Sequence, residues 1–156
     1  MKPVTRNFLL LAALCALLAA LPFLPGLGGG FLLDDEPTIT ANPAVQITTL
    51  DSASLQQAAY GFKVGGSSRA LPMLTFGLDH WRAGLDPAAF KTTNILIHAL
   101  TTLTLAGLFR LLLLMAGWTS SRAALAAPAL ALAWAIHPLQ VSSVMYIVQR
   151  MQTMGT

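Results

Sequence analysis

The stretch ILIHALTTLTLAGLFRLLLLM, residues 95–115, decides the fold. Its 21 residues are interrupted only by His98, three threonines and Arg110. At about 1.5 Å per residue such a helix reaches about 30 Å, the thickness of the hydrocarbon core of a bilayer. Arg110 stands near one end, where its long stem can carry the guanidinium to the headgroups. On the N-terminal side, Phe8–Leu24 is a second apolar run, preceded by Lys2 and Arg6. A cleavable signal peptide has the same basic start and apolar middle, but Pro22 and further apolar residues favour a retained anchor. On the C-terminal side, Ala123–Leu139 is a third, Ala-rich run with Trp134 and Pro128, and membrane helices tolerate such a proline where neighbours satisfy the freed carbonyl. The expected fold is an all-α membrane protein with two to three transmembrane helices.

Composition agrees. Apolar residues make up 55% and charged residues 10% of the 156, against about 45–50% and about 25% in a soluble domain. So few charges cannot cover a water-soluble body of this size. The net charge of +3 is spread over scattered Lys and Arg, with no basic stripe for nucleic acid. All six acids (Asp34, Asp35, Glu36, Asp51, Asp79, Asp86) lie between the first two apolar runs, whereas Lys2, Arg6, Arg110 and Arg122 flank their other ends. The positive-inside rule then places the N-terminus in the cytoplasm and the acidic loop outside it, as expected for a bacterial inner (plasma) membrane protein. The lone Cys15 has no partner for an intrachain disulfide.

The organisation expected is an N-terminal transmembrane helix or signal anchor over 1–25 and an extracytoplasmic loop over 26–91. A transmembrane helical hairpin over 92–140 follows, then an interfacial helix, or the start of a further span, over 141–156. Pro25, Gly26 and Gly28–Gly30 end the first helix. Within the loop, Asp51-Ser52-Ala53-Ser54 caps a short helix through Leu55–Phe62, and Leu71–Trp81 is amphipathic, with Trp81 suited to the interface. Beyond 140, Val141, Val144, Met145, Val148 and Met151 form an apolar stripe, with Tyr146, Gln149 and Arg150 on the other side. That stripe leads towards a further span, as in a piece of a longer protein.

Four polar features cost free energy near a membrane unless they have partners. Asp34-Asp35-Glu36 follows the glycine turn; it is either a solvated acidic turn or a general base with supporting ligands. The same three carboxylates are the candidate set for a divalent metal, Mg²⁺ or Mn²⁺. Asn94 and His98 share one helix face, in helix–helix hydrogen bonding or around a functional cavity. His137-Pro138 ends the third run, and Gln149-Arg150 offers a cation to an anion such as a lipid phosphate. A carboxylate base beside cations suits a reaction on a lipid-linked phosphate.

In order and spacing, these stretches resemble the N-terminal part of GT-C-type membrane glycosyltransferases, closest to the TPR-bearing transmembrane O-mannosyltransferases and their bacterial relatives. The matching stretches are Asp34-Asp35 with Ile39 and Asn42, then Arg69 with Leu71, Gly84-Leu85-Asp86-Pro87, Asn94 through His98, and His137-Pro138-Leu139-Gln140 with Tyr146, Gln149 and Arg150. Ala70 and Lys91 depart from the residues usual there. The resemblance implies an incomplete GT-C bundle whose catalytic acids are Asp34 and Asp35. It further implies a polyprenyl-phosphate sugar donor held by Arg69, His137 and Arg150, with Asn94, His98 and Gln149 in support, and a protein or glycan hydroxyl as acceptor. Two rival readings use the same features: a non-catalytic membrane assembly subunit or remnant, and a small transporter accessory with Asn94 and His98 as a polar path.

Overall fold

The computed structural model describes residues 3–61, 63–64 and 67–154. Lys2, one of the basic residues used for orientation, and Phe62, the expected end of the first loop helix, lie outside the described residues. Helix α1 (Pro3–Ala20) continues as a 3₁₀ segment over Leu21–Gly28, and α2 (Ser52–Tyr60) and α3 (Ala70–Ala83) lie in the loop. Between them, β1 (Lys63–Val64) and β2 (Ser67–Ser68) pair antiparallel. The long α4 (Pro87–Met115) and α5 (Ser120–Ala135) follow, then α6 (Gln140–Met145), a 3₁₀ turn over Ile147–Gln149 and α7 (Arg150–Thr153). Among the described residues, two helical runs are long and apolar enough to cross a membrane, Pro3–Gly28 with mean hydropathy 2.5 and Pro87–Met115 with 1.8. The chain is an all-α membrane protein.

Local chemistry accounts for the boundaries. Asp51 accepts the Ser54 N–H in its carboxylate and caps α2, as expected. Helix α4 starts eight residues ahead of the expected Ile95, because Asp86 accepts the Ala88 N–H and Pro87 fits the first helical position. Thr119 caps α5. That helix ends at Ala135 rather than Leu139 and has 16 residues, about 24 Å at ~1.5 Å per residue. It therefore falls short of the expected third full span. Thr49 and Ser54 donate hydrogen bonds to the Asp51 carboxylate and hold its pKa down to about 2.

The chain divides into two compact units, residues 1–25 with 95–140 and residues 26–94 with 141–156. In the first unit, α1 and α5 pack along each other. Ala123, Ala127, Ala131 and Ala135 recur every four residues on α5 and are fully buried. Small residues at this spacing let helix backbones approach closely, which is how helices associate in lipid, where no hydrophobic drive separates them from the tails. Ala127 and Ala131 share a core with Phe8, Ala12, Ala106 and Ala124. His98 lies inside this unit too, its Nε2 3.0 Å from the Ala135 carbonyl oxygen, its ring against Phe23 and stacked on Trp134.

In the second unit, Ile39, Val45, Met73, Phe76, Phe90 and Ile147 form the core. Helices α2 and α3 approach so closely that a Cβ on Gly77 would stand 2.8 Å from that of Ala58. The segment beyond 140 is not one continuous helix. It breaks at Tyr146, whose backbone is extended (φ −84°, ψ 110°). Side chains replace the lost helix bonds: Asn94 Nδ2 donates to the Val144 and Ile147 carbonyls, and the Val148 N–H turns to Asp35.

Candidate functional site

The site lies in the second unit, on the turn after Gly30. Leu33 has φ 40°, a left-handed conformation that a leucine adopts only at a cost, and it is 84% exposed. The turn separates the two aspartates. Asp34 is exposed, while Asp35 is 1% exposed. A π-helical turn, Glu36–Thr40, follows and is closed by the Ala41 N–H on the Glu36 carbonyl. Such turns are often found at functional sites.

Both Asp35 oxygens accept backbone N–H groups, Oδ1 from Val148 at 2.7 Å and Oδ2 from Leu32 at 2.9 Å. Burial pushes the Asp35 carboxyl up from its ordinary value; these two hydrogen bonds and the charge of Lys91 pull the other way. Lys91 is itself buried, and its Nζ donates to the carbonyls of Gly26 and Gly29 at 2.9 and 2.7 Å. A Cβ on Gly29 would stand 2.6 Å from that ammonium, so a side chain there would displace the end of Lys91. Asp35 and Lys91 thus lock the turn to α4 and to the segment beyond 140.

Asp34 is held differently. Its backbone N–H donates to Tyr146 Oη at 2.9 Å. The hydroxyl of Tyr146 accepts in this bond, so its own proton remains available to a second partner. The result is a solvent-facing carboxylate with a phenol hydroxyl beside its backbone.

Arg150, expected to hold a donor phosphate, is instead fully buried. Its Nε donates to Asn94 Oδ1 at 2.6 Å, Nη1 to Thr75 Oγ1 at 3.1 Å and Nη2 to the Phe90 carbonyl at 2.7 Å. Nη1 also lies 2.7 Å from Asp79 Oδ2, and the guanidinium covers the Phe76 ring. Burial pulls its pKa down and the Asp79 charge opposes that fall. With every nitrogen engaged by protein, Arg150 presents nothing to an outside phosphate. Sequence periodicity put it on the polar side of a continuous helix; the break at Tyr146 turns it inward.

The other expected residues are dispersed. Arg69 is exposed at the start of α3. His137 is exposed and belongs to the first unit, where its Nδ1 accepts the Leu139 N–H. Asn94 supports Arg150 as described, and Gln149 is half-buried in the 3₁₀ turn. His98 belongs to the first unit, apart from the acidic turn in the division of the chain. A metal set of Asp34, Asp35 and Glu36 does not fit: no three His, Cys, Asp or Glu side chains converge among the described residues, and Asp35 is sealed against two N–H donors.

Asp79 is the residue that sequence reasoning missed. It accepts from Thr93 Oγ1 at 2.6 Å and pairs with Arg82 at 2.9 Å as well as with Arg150. The signal was there: Asp79 stands three residues after Phe76, on the core-facing side of α3, and a buried carboxylate requires a cation.

Two proteins of Drosophila melanogaster are similar to this chain. "Protein O-mannosyl-transferase Tmtc1" is 30% identical over 141 residues, 87% of this chain and 16% of that protein. "Protein O-mannosyl-transferase Tmtc2" is 33% identical over 142 residues, 87% of this chain and 14% of that protein. No family model and no solved structure matches the chain. The chain therefore spans about one-sixth of the length of the relatives it matches, and the similarity supports a distant relationship to the O-mannosyl-transferases.

Proposed function

We propose that this chain forms the loop-side catalytic portion of a membrane glycosyltransferase that moves a sugar from a polyprenyl-phosphate donor to a protein or glycan hydroxyl outside the cytoplasm. Asp34 is the base. As the acceptor oxygen bonds to the anomeric carbon, the bond from that carbon to the phosphate oxygen breaks and the lipid phosphate leaves with the electron pair. The hydroxyl proton passes to the Asp34 carboxylate. Tyr146 orients the acceptor or the donor through its remaining O–H. Arg69, exposed, steadies the phosphate, while Arg150 and Asn94 hold the segment that carries Tyr146.

The observation that carries this reading is the unequal treatment of adjacent acids: Asp34 faces solvent, and Asp35 has both oxygens tied to backbone N–H groups. The similarity to O-mannosyl-transferases supports it at family level. In the full-length protein, Asp34→Asn should lower sugar transfer by about 10²–10⁴-fold, the usual loss for a positioned base, with membrane insertion intact. Asp35→Asn should lower the yield of folded protein more than the turnover of what folds. Transfer at the parental rate in Asp34→Asn would leave the acidic turn without a catalytic role and favour a non-catalytic membrane subunit.

A further inference from the structure

The turn that carries Asp34 also bares two leucines: Leu32 is 57% and Leu33 84% exposed. Leu33 has φ 40°, a conformation that glycine adopts freely and leucine only with strain. Leu33 therefore costs the protein twice, once in backbone strain and once in apolar surface left in water. Anchors on either side impose that conformation. Asp35 Oδ2 accepts the Leu32 N–H at 2.9 Å, and Tyr146 Oη accepts the Asp34 N–H at 2.9 Å. The backbone of Leu33 is held between them, next to the Asp34 carboxylate.

The chemistry decides what such a neighbour of the base meets. In a direct displacement the acceptor oxygen reaches the anomeric carbon from the face opposite the departing phosphate, and the base lies within hydrogen-bond reach of that oxygen. Groups contiguous with the base therefore meet the acceptor, while the lipid tail of the donor departs on the other side of the sugar. We infer that Leu32 and Leu33 select the acceptor, packing against an apolar side chain directly beside the hydroxyl that receives the sugar. This deepens the assignment of Asp34 as base and rests on it. A peptide serine or threonine with an apolar neighbour covers both leucines. A glycan acceptor would press hydroxyl groups against them and lose water without hydrogen bonds in exchange. Asp34 and Glu36, both exposed on this turn, disfavour an acidic neighbour through like charge.

The test is sugar transfer by the full-length protein, with the polyprenyl-phosphate hexose it accepts as donor. The acceptors are synthetic peptides that keep one threonine and carry valine, asparagine or aspartate beside it. The parent should use the valine peptide best and the aspartate peptide worst. Glycine and asparagine both tolerate the left-handed conformation, so Leu33→Gly and Leu33→Asn should melt no lower than the parent. Each should lower kcat/KM for the valine peptide by about tenfold, the low end of apolar discrimination, and leave the asparagine peptide unchanged. The loss should fall on KM for the peptide and not on KM for the donor. Equal use of the valine and asparagine peptides by the parent overturns the inference, and so does a valine preference that persists in both variants. Asp34→Asn on the same peptides separates the two claims. Transfer lost in Asp34→Asn with no valine preference in the parent leaves the base in place and refutes only the role of the leucines. Transfer at the parental rate in Asp34→Asn removes the base and the inference with it.

Discussion

Asp35 shows what one residue can do to a turn. Its carboxylate is 1% exposed and ties Leu32 to Val148, so the neighbouring Asp34 is pushed outward across the strained Leu33. Burial, the largest influence, raises the Asp35 pKa above its ordinary 3.8. The folded chain then holds this proton more tightly than the unfolded chain does. The associated stability is fully present below pH 3.8 and is lost as pH rises through the raised native value. Asp35→Asn removes the titration and adds a cost that does not vary with pH, because its amide NH₂ faces one of the two N–H donors. Melting temperatures of the parent and of Asp35→Asn should therefore converge or cross as pH rises through the acid range and run parallel above it. A difference independent of pH would mean that Asp35 has its ordinary pKa in the fold.

At the scale of elements, the Asp79–Arg150 pair ties α3, α4 and α7 together. Asp79 and Thr75 come from α3, Phe90 and Asn94 from α4, and Arg150 from α7. Asp79→Asn leaves the fully buried Arg150 without its carboxylate. Breaking a buried pair in this way costs about 3–5 kcal/mol, to be read as a lowered melting temperature in detergent. Adding Arg150→Met should recover part of the loss, since no unpaired charge then remains. A double variant no more stable than Asp79→Asn alone would show that Arg150 is held mainly by its bonds to Asn94, Thr75 and Phe90. The same pair explains why the segment beyond 140 folds with the loop rather than continuing as the interfacial helix its apolar stripe suggested: the stripe records which residues are apolar, and the pairing of Arg150 is what turns the last helix.

For the whole molecule, charge and hydropathy are already decisive at the level of sequence. Every acid lies in the window 34–86, Arg6 and Arg110 lie near the opposite ends of the spans and Arg122 lies beyond the second. A reporter fused near Ser68 should read outside the cytoplasm and one near Thr119 inside. A cytoplasmic reading at Ser68 would invert the orientation and remove an outward-facing site. The sequence by itself determined the all-helical membrane architecture, the cap at Asp51, and the acidic turn as a candidate site, because hydropathy, periodicity and capping are encoded by residues within a few positions of one another; the first α-helix ends at Ala20, ahead of the expected Pro25, and a 3₁₀ segment carries the chain to Gly28. Only the tertiary structure decided which acid faces solvent, that Arg150 is interior, and that Asp79 is its partner. Those outcomes rest on contacts across long separations, Asp34 with Tyr146 at 112 residues, Asp35 with Val148 at 113 and Arg150 with Asn94 at 56. A buried charge takes whichever partner the folded chain brings within reach, and no local pattern specifies that partner.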